Sequence, residues 1–285
     1  MKEVTLNNGQ KMPTSAFGVY LITDAEVCEK SVLDAFKSGY RHIDTANAYM
    51  NEKAVGRAMQ KSGLKREEIY LTTKIWPTMY KTELAKKAID ETLMRLDTPY
   101  IDLLLLHQGY GEYLQAWKVM EEYVKKGKIK SIGVSNFSKA KLEKLFEIAE
   151  ILPVVNQIEA HPYHQQKEMQ EYLNKKGILI QSWYPMGHGD QALLTEKLFT
   201  ELANKYNKTN AQIILRWHVQ SGKIVIAKST NPEHIRENYN MYDFTLTAEE
   251  MEAISKMDKK LPYYVVPEED TRGFATMEMD FNAQV

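Results

Sequence analysis

Four ionisable side chains in this sequence could together carry out proton transfer: Asp44, Tyr49, Lys74 and His107. A tyrosine hydroxyl has a reference pKa of about 10, and a nearby ammonium group such as that of Lys74 lowers this pKa by favouring the phenolate. A buried ammonium in turn needs an anion, which Asp44 could supply. The imidazole of His107 could form a hydrogen bond with a carbonyl oxygen and orient it. This combination suits a reaction in which a carbonyl oxygen gains negative charge and must be protonated.

These four residues are far apart in the sequence, so regular elements must bring them together. Short apolar segments alternate with longer amphipathic segments, and this alternation predicts eight strand–helix units. The strands are predicted at residues 16–20, 41–44, 69–73, 100–106, 128–134, 153–158, 178–183 and 223–227. Their apolar runs are nearly continuous, as in strands buried on both faces of a parallel sheet, and eight units in about 250 residues predict a closed (β/α)8 barrel, an α/β fold of the TIM-barrel type.

Additional elements flank the predicted barrel. The turn residues NNG at 7–9 predict an N-terminal β-hairpin formed by residues 4–6 and 10–13. A last amphipathic helix is predicted at 247–257, followed by an irregular C-terminal tail. Since no Gly/Ser-rich or Pro-rich linker divides the units, we interpret residues 1–285 as a single barrel domain.

The ends of the predicted strands are polar, and in such barrels functional groups gather where strands end and loops begin. The residues at these ends are Asp44, Lys74, His107, Ser135, Asn136, Asn156, Gln157, Trp183, Lys228 and Ser229. Their regularity predicts one catalytic pocket. Taken alone, Asp44 could instead cap a turn and Tyr49 could be a packing residue. Lys74 could equally lie on the surface, and His107 could be a core histidine.

The composition argues against several classes of function. Lys plus Arg number 37 and Asp plus Glu 38, so a net charge of −1 offers no basic surface for nucleic acid or anionic membranes. The single Cys28 fits a reducing compartment, and neither a signal peptide nor a membrane span is evident, so we expect a soluble cytoplasmic protein. His161 and His164 are spaced like metal ligands but lack an evident carboxylate partner, so no metal is predicted.

Several longer motifs, in order along the chain, resemble one known family. They are GYRHIDTANAYMNEKAVG at 39–56, LTTKIW at 71–76, DLLLLHQ at 102–108, GKIKSIGVSNF at 127–137, VVNQIEAHPYHQQ at 154–166 and IAKSTNPEHIRENYNMYDF at 226–244. With them the chain resembles the aldo-keto reductases, in particular the branch that includes bacterial diketogluconate reductases and prostaglandin F synthase. The resemblance implies a (β/α)8 barrel, commonly monomeric, that binds NADPH or NADH without a Rossmann fold, which fits the absence of a GxGxxG motif.

The resemblance also implies a reaction and a role for each matched residue. Hydride would pass from the nicotinamide C4 to an aldehyde or ketone, giving an alcohol. Tyr49 would be the general acid, tuned by Lys74 and Asp44, while His107 would orient the carbonyl. The implied substrate-binding residues are Tyr20, Trp76, Tyr49 and His107.

The implied cofactor contacts extend from the nicotinamide to the adenine. Ser135, Asn136 and Gln157 would bind the carboxamide, Trp183 would stack on the nicotinamide ring, and Met186 would lie near the pyrophosphate. The residues that match the 2′-phosphate and adenine positions are Lys228, Ser229, Thr230, Asn231, Glu237 and Asn238.

One residue departs from the family pattern at the adenine end. His234 stands where the family commonly has an arginine that stacks on adenine and pairs with the 2′-phosphate. A neutral imidazole lacks the planar cationic fork that binds phosphate. Lys228 remains as a cation, so NADPH is favoured, and NADH remains a possible cofactor.

Two other functions stay open. Lys74 could attack a carbonyl and make the protein a Schiff-base lyase, since barrels also place catalytic lysines at strand ends. Alternatively, the protein could be a non-catalytic nicotinamide-binding subunit. The substrate is not determined: aldehydes, α-keto carbonyls, keto-sugars and steroid-like ketones all remain open.

Overall fold

The computed structural model describes residues 2–266 and 271–285. Within them a short hairpin precedes eight parallel strands that close into a barrel, which confirms the predicted architecture. The hairpin strands are β1 (Glu3–Thr5) and β2 (Lys11–Pro13). The barrel strands are β3 (Ser15–Gly18), β4 (His42–Asp44), β5 (Tyr70–Ile75), β6 (Ile101–Leu106), β7 (Ile129–Ser135), β8 (Val155–Glu159), β9 (Leu179–Trp183) and β10 (Ile224–Ala227).

Helices cover the outside of the barrel. In the described residues they are α1 (Ala25–Ser38), α2 (Glu52–Lys61), α3 (Thr82–Arg95), α4 (Tyr113–Lys125), α5 (Lys139–Phe146), α6 (Lys167–Asn174), α7 (Gln191–Leu194), α8 (Lys197–Tyr206), α9 (Asn210–Gln220), α10 (Pro232–Tyr239) and α11 (Ala248–Ser255). None of the helices in the described part of the chain is long and apolar enough to cross a membrane.

The strand order brings the carboxyl ends of all barrel strands to one rim. Each strand pairs in parallel with the next along the chain, and β10 closes the ring by pairing with β3. In this register Gly18 lies beside Asp44, and Lys74 lies beside Leu105. Residues at the strand ends, although distant in sequence, therefore face a common space.

Side chains along each strand point alternately into the barrel and towards the helices. On β6, Leu104 packs with Trp117 of α4 in the largest apolar cluster. Its neighbour Leu105 belongs instead to a cluster that includes the hairpin residues Leu6 and Met12. The hairpin thus covers the amino ends of the strands and leaves the opposite rim for chemistry.

The tail that follows α11 returns across this open rim. Its described residues include the short 3₁₀ turn Arg272–Ala275 and are otherwise mostly irregular, as expected. Met277 and Met279 lie over the open end of the barrel, where they line the same cavity as the strand-end residues.

Candidate active site

A cavity of about 560 Å³ opens at the carboxyl ends of the barrel strands. Asp44, Tyr49 and His107 line it, and the fully buried Lys74 lies directly behind them. Other residues of its wall include Gly18, Tyr20, Trp76, Ser135, Asn136, Gln157, Trp183, Tyr184, Met186, Lys228, Tyr264, Met277 and Met279. The four ionisable residues singled out from the sequence are therefore brought to one place.

Lys74 is the centre of this polar cluster. Its Nζ lies 2.5 Å from Oδ1 of Asp44, 2.9 Å from the carbonyl oxygen of Thr45 and 3.2 Å from the hydroxyl oxygen of Tyr49. Three acceptors match the three N–H groups of an ammonium ion. The ammonium is therefore fully hydrogen-bonded within the protein, although its side chain is completely buried.

Burial acts on the Asp44–Lys74 pair in opposite directions. It raises the pKa of Asp44, and the Lys74 charge opposes this rise. It lowers the pKa of Lys74, and the Asp44 charge opposes that fall. Burial therefore narrows the difference in proton affinity between the two groups, which suits a pair that supports proton transfer nearby.

Tyr49 lies in the 3₁₀ turn Asn47–Tyr49, directly after β4. Burial raises the pKa of Tyr49 well above its usual value, and the negative charge of Asp44 raises it further. Lys74 was expected to lower this pKa, but the net shift in this structure is upward. Burial and the Asp44 carboxylate dominate this shift, so the phenol stays protonated across the neutral range.

His107 follows β6 and lies between two aromatic side chains. Its ring centroid is 5.4 Å from that of Tyr49 and 4.9 Å from that of Trp76, both in edge-to-face geometry. Burial, with a smaller contribution from the Lys74 charge, holds the pKa of His107 well below its usual value. The imidazole is therefore neutral, and its Nδ1 has no hydrogen-bond partner within the described residues.

The residues predicted to face the nicotinamide form their own network. The Trp183 indole N–H donates to Oδ1 of Asn136 over 3.0 Å, and the Ser135 hydroxyl donates to the carbonyl oxygen of Gln157 over 3.0 Å. The Gln157 amide donates to Oδ2 of Asp44 over 2.7 Å and to Oε1 of Gln181 over 3.0 Å.

The sequence did not predict that the Gln157 amide donates hydrogen bonds to Asp44 and to Gln181. Gln157 satisfies the carboxylate oxygen that Lys74 leaves free. Its own oxygen remains as the group that could face a ligand. The alternation along β8 and β9 could have placed both glutamines inside the barrel, but nothing in the sequence indicated which acid they would meet.

The residues predicted for the adenine end do not all lie in the cavity. Lys228 and Met186 line it. Outside it, around the start of α10 or along that helix, lie Ser229, Thr230, Asn231, His234, Glu237 and Asn238. Asn231 caps α10, since its Oδ1 accepts a hydrogen bond from the Glu233 N–H over 2.9 Å. His234 is exposed, whereas Asn238 is buried.

The mouth of the cavity is mostly aromatic. Tyr20 is 43% exposed, and its ring lies 5.0 Å from that of Tyr49. Trp76 contacts Phe274 of the tail at 5.4 Å between ring centroids. Tyr264 of the tail meets Trp183 edge-to-face at 5.7 Å. The sequence indicated Tyr20 and Trp76, but no periodic signal could place the tail residues here.

His161 has a carboxylate partner that was not evident in the sequence. Its Nε2 lies 3.0 Å from Oε1 of Glu159. The same carboxylate accepts the backbone N–H groups of Tyr263 over 2.6 Å and of Tyr264 over 3.1 Å. The pair therefore anchors the tail. Within the described residues no cluster of His, Cys, Asp and Glu could hold a metal ion.

Known proteins match this chain over most of its length. A glyoxal reductase from Bacillus subtilis is 41% identical over 257 residues, which is 90% of this chain and 92% of the relative. A methylglyoxal reductase from Escherichia coli is 40% identical over 259 residues, which is 90% of this chain and 93% of the relative. Among solved structures, a Bombyx mori aldo-keto reductase in complex with NADP superposes with a TM-score of 0.89. It is 32% identical and covers 96% of this chain and 97% of its own.

The family assignment rests on a family model together with the geometry of the rim. A model of the Aldo/keto reductase family matches residues 15–259, from the first barrel strand to beyond α11. That span includes Asp44, Tyr49, Lys74 and His107, which meet at the cavity. The chain belongs to the aldo/keto reductase family.

Proposed function

We propose that this protein reduces an aldehyde or ketone to an alcohol with a reduced nicotinamide cofactor, and that Tyr49 donates the proton. The observation that supports this proposal most directly is the position of Lys74, 2.5 Å from Asp44 and 3.2 Å from the Tyr49 hydroxyl oxygen, at the base of the cavity. We also infer that residues 1–285 act as one domain and that the enzyme works as a monomer.

The cavity wall suits a nicotinamide ring in shape and chemistry. Trp183 offers a flat aromatic surface, and the side chains of Ser135, Asn136 and Gln157 offer donors and acceptors for a carboxamide. When bound, the reduced nicotinamide supplies a hydride to the carbonyl carbon of the substrate. The residues of this chain then deal with the charge and the proton on the oxygen.

Tyr49 is suited to be the proton donor because its hydroxyl is protonated at neutral pH. As the carbonyl oxygen gains negative charge, the O–H bond of Tyr49 breaks and the proton passes to that oxygen. The electron pair stays on the phenolate oxygen, 3.2 Å from the Lys74 ammonium. A raised pKa makes a phenol a weaker acid, and this nearby positive charge offsets the cost by stabilising the phenolate.

His107 is suited to orient the substrate. Its neutral ring lines the cavity next to Tyr49, so a carbonyl oxygen within reach of the Tyr49 hydroxyl is also near the imidazole. An imidazole protonated on Nε2 would donate a hydrogen bond to that oxygen and help to polarise the carbonyl group.

We favour NADPH over NADH as the cofactor. Lys228 lines the cavity, and its side chain offers a cation that could pair with a 2′-phosphate. The exposed His234 replaces the arginine that is common in the family, so the preference should be modest. The named relatives reduce glyoxal and methylglyoxal, and small dicarbonyls are therefore the first substrates to test.

The Schiff-base lyase is the weaker hypothesis. A lowered pKa would favour the nucleophilic amine of Lys74. All three N–H directions of Lys74 are, however, engaged by Asp44, Thr45 and Tyr49, and the side chain is fully buried. Borohydride treatment with a carbonyl compound would trap a covalent adduct on Lys74 if the lyase mechanism operates.

The deciding experiment measures oxidation of NADPH and NADH across a panel of aldehydes and ketones, with the alcohol product identified. Turnover with either cofactor supports the proposal. Binding of the cofactor without turnover on any carbonyl would instead indicate a non-catalytic nicotinamide-binding subunit. Trapped adduct without cofactor oxidation would indicate the lyase.

A further inference from the structure

The tail residue Gln284 contacts the region that follows Tyr49, and the reaction described above does not use this contact. Gln284 is only 5% exposed. Its Oε1 accepts a hydrogen bond from the backbone N–H of Lys53 over 3.2 Å, and its backbone carbonyl accepts one from Nζ of Lys53 over 2.7 Å. Its side-chain amide donates to the carbonyl oxygen of Phe281 over 2.8 Å. Both polar ends of the side chain are therefore held.

Gln284 supplies a hydrogen-bond acceptor to the amino end of helix α2. The first backbone N–H groups of a helix have no partner within the helix, and the residue before the first turn usually provides an acceptor. Here that residue is Asn51, whose side chain makes no capping bond in the described structure. It accepts from the Thr45 hydroxyl over 2.8 Å and donates to the carbonyl oxygen of Val19 over 2.9 Å instead. The acceptor for the Lys53 N–H is instead Oε1 of Gln284 in the tail, 231 residues further along the chain.

A second tail residue binds next to the same turn. Asn282 accepts a hydrogen bond from Nη1 of Arg95 over 2.7 Å. Nε of Arg95 is 2.7 Å from the buried carboxylate of Glu52, the first residue of α2. Asn282 and Gln284, which we call the tail clasp, therefore hold the first turn of α2 from two directions.

The first turn of α2 is closely linked to Tyr49. Between Tyr49 and α2 lie two residues, and Met50 has a φ of 59°, in the left-handed region that few side chains adopt. A short connection of this shape has little freedom to absorb a displacement of the helix. A shift of α2 would therefore move Tyr49 relative to Lys74.

We propose that the tail clasp positions Tyr49 for proton transfer, with Gln284 as the helix cap through which it acts. The proposal rests on the proposed reductase function. A simpler alternative exists, because Met277 and Met279 of the same tail line the cavity and the clasp could only hold them over the substrate. The two roles differ in kinetics. A displaced proton donor lowers kcat, whereas displacement of Met277 and Met279 from the cavity raises the KM of the substrate.

The test compares Gln284→Ala with Gln284→Glu, which keeps an acceptor for the Lys53 N–H and places a favourable negative charge at a helix start, although it loses the donor to the Phe281 carbonyl. Val285→Ala is the matched control, since Val285 is 80% exposed and adjacent in sequence. With concentrations corrected for active sites by NADPH titration, kcat of Gln284→Ala should fall roughly five- to tenfold, the scale set by a lost helix cap. Its substrate KM should stay nearly constant.

Two readouts separate positioning from loss of folded protein. The solvent deuterium isotope effect on kcat should rise in Gln284→Ala, because proton transfer becomes slower, whereas a smaller active fraction leaves the isotope effect unchanged. Hydrogen exchange of the Lys53 amide should also become faster. Gln284→Glu should reverse most of both changes, and Val285→Ala should match the wild type.

An unchanged kcat and isotope effect in Gln284→Ala would overturn the proposal, and so would a higher KM with an unchanged kcat. If the wild-type protein reduced no carbonyl at all, the reductase function would fail first, and the positioning role would fail with it. Exchange at the Lys53 amide would still show in that case whether Gln284 caps α2.

Discussion

Replacing Tyr49 with phenylalanine tests the proposed proton donor most directly. The change removes one oxygen and keeps the ring, whose contacts with Tyr20 at 5.0 Å and His107 at 5.4 Å should survive. Lys74 loses one acceptor at 3.2 Å but keeps Asp44 and the carbonyl of Thr45. Because only the acid is lost, the rate of carbonyl reduction should fall by roughly 10²–10⁴-fold, or about 3–5 kcal/mol of transition-state stabilisation.

The assay is NADPH oxidation with the best carbonyl substrate, together with cofactor affinity from quenching of tryptophan fluorescence. The cofactor affinity of Tyr49→Phe should match that of the wild type, since the cofactor residues are untouched. Tyr172→Phe is the matched control, because it removes a hydroxyl that has no partner in the described structure and does not line the cavity. Nearly full activity in Tyr49→Phe would refute the assignment of the proton donor.

Three other perturbations have defined outcomes. His234→Arg should shift the kcat/KM ratio towards NADPH, because a guanidinium can bind the 2′-phosphate; an equal shift in Glu233→Arg would mean that charge alone is responsible. Glu52→Gln should destabilise the fold by about 1.5–3 kcal/mol in urea unfolding, because it removes the carboxylate charge 2.7 Å from Nε of the buried Arg95 and leaves only Glu91, at 3.8 Å, as a charged partner; an unchanged midpoint would contradict this. Burial lowers the pKa of four histidines in the described structure below the usual 6.5, namely His42 (to about 3), His107, His164 and His218. Below pH 6.5 the unfolded chain therefore binds protons that the folded chain cannot, and stability should fall with falling pH by up to about 1.4 kcal/mol per pH unit for each histidine. The loss between pH 7.5 and 5.5 should be smaller when His42 is replaced by glutamine, and an identical loss in both proteins would contradict the assignment.

The barrel and the position of the cavity could be predicted because both follow from short-range patterns. Near-continuous apolar runs such as Leu103–Leu106 predict buried parallel strands, and parallel strands place their carboxyl ends on one rim. The structure shifts the strand boundaries by a few residues: the first barrel strand is Ser15–Gly18 rather than 16–20. The convergence of Asp44, Lys74 and His107 on one site needed only the order of the strands.

The properties that could not be predicted depend on tertiary contacts between distant residues. The direction of the pKa shift of Tyr49 depends on whether burial or the Lys74 charge dominates, and the sequence does not reveal the degree of burial. The contact of Gln157 with Asp44 depends on side-chain choices inside the barrel. The positions of Met277 and Met279 depend on how an irregular tail crosses the rim, where no periodic pattern applies.

The segment from Asp44 to Glu52 shows how the fold holds a tyrosine in place inside a loop. Asp44 at one end binds Lys74, and Glu52 at the other end accepts a hydrogen bond from the Thr73 hydroxyl over 2.6 Å. Thr73 and Lys74 are neighbours on β5, and successive side chains of a strand point to opposite faces. Lys74 therefore reaches into the barrel while Thr73 reaches out towards α2.

One strand thus fixes both ends of the nine-residue segment, and Tyr49 is held between them. The contact between Lys74 and Asp44, inside the barrel, sets the charge near the phenol of Tyr49. The contact between Thr73 and Glu52, outside the barrel, sets the position of helix α2, which follows Tyr49. Because the two contacts come from adjacent residues, a displacement of β5 moves both ends together and largely preserves the distance from Tyr49 to Lys74. A displacement of α2 alone does not preserve that distance, which is why a cap supplied by Gln284 from the tail can matter for a reaction that Gln284 never touches.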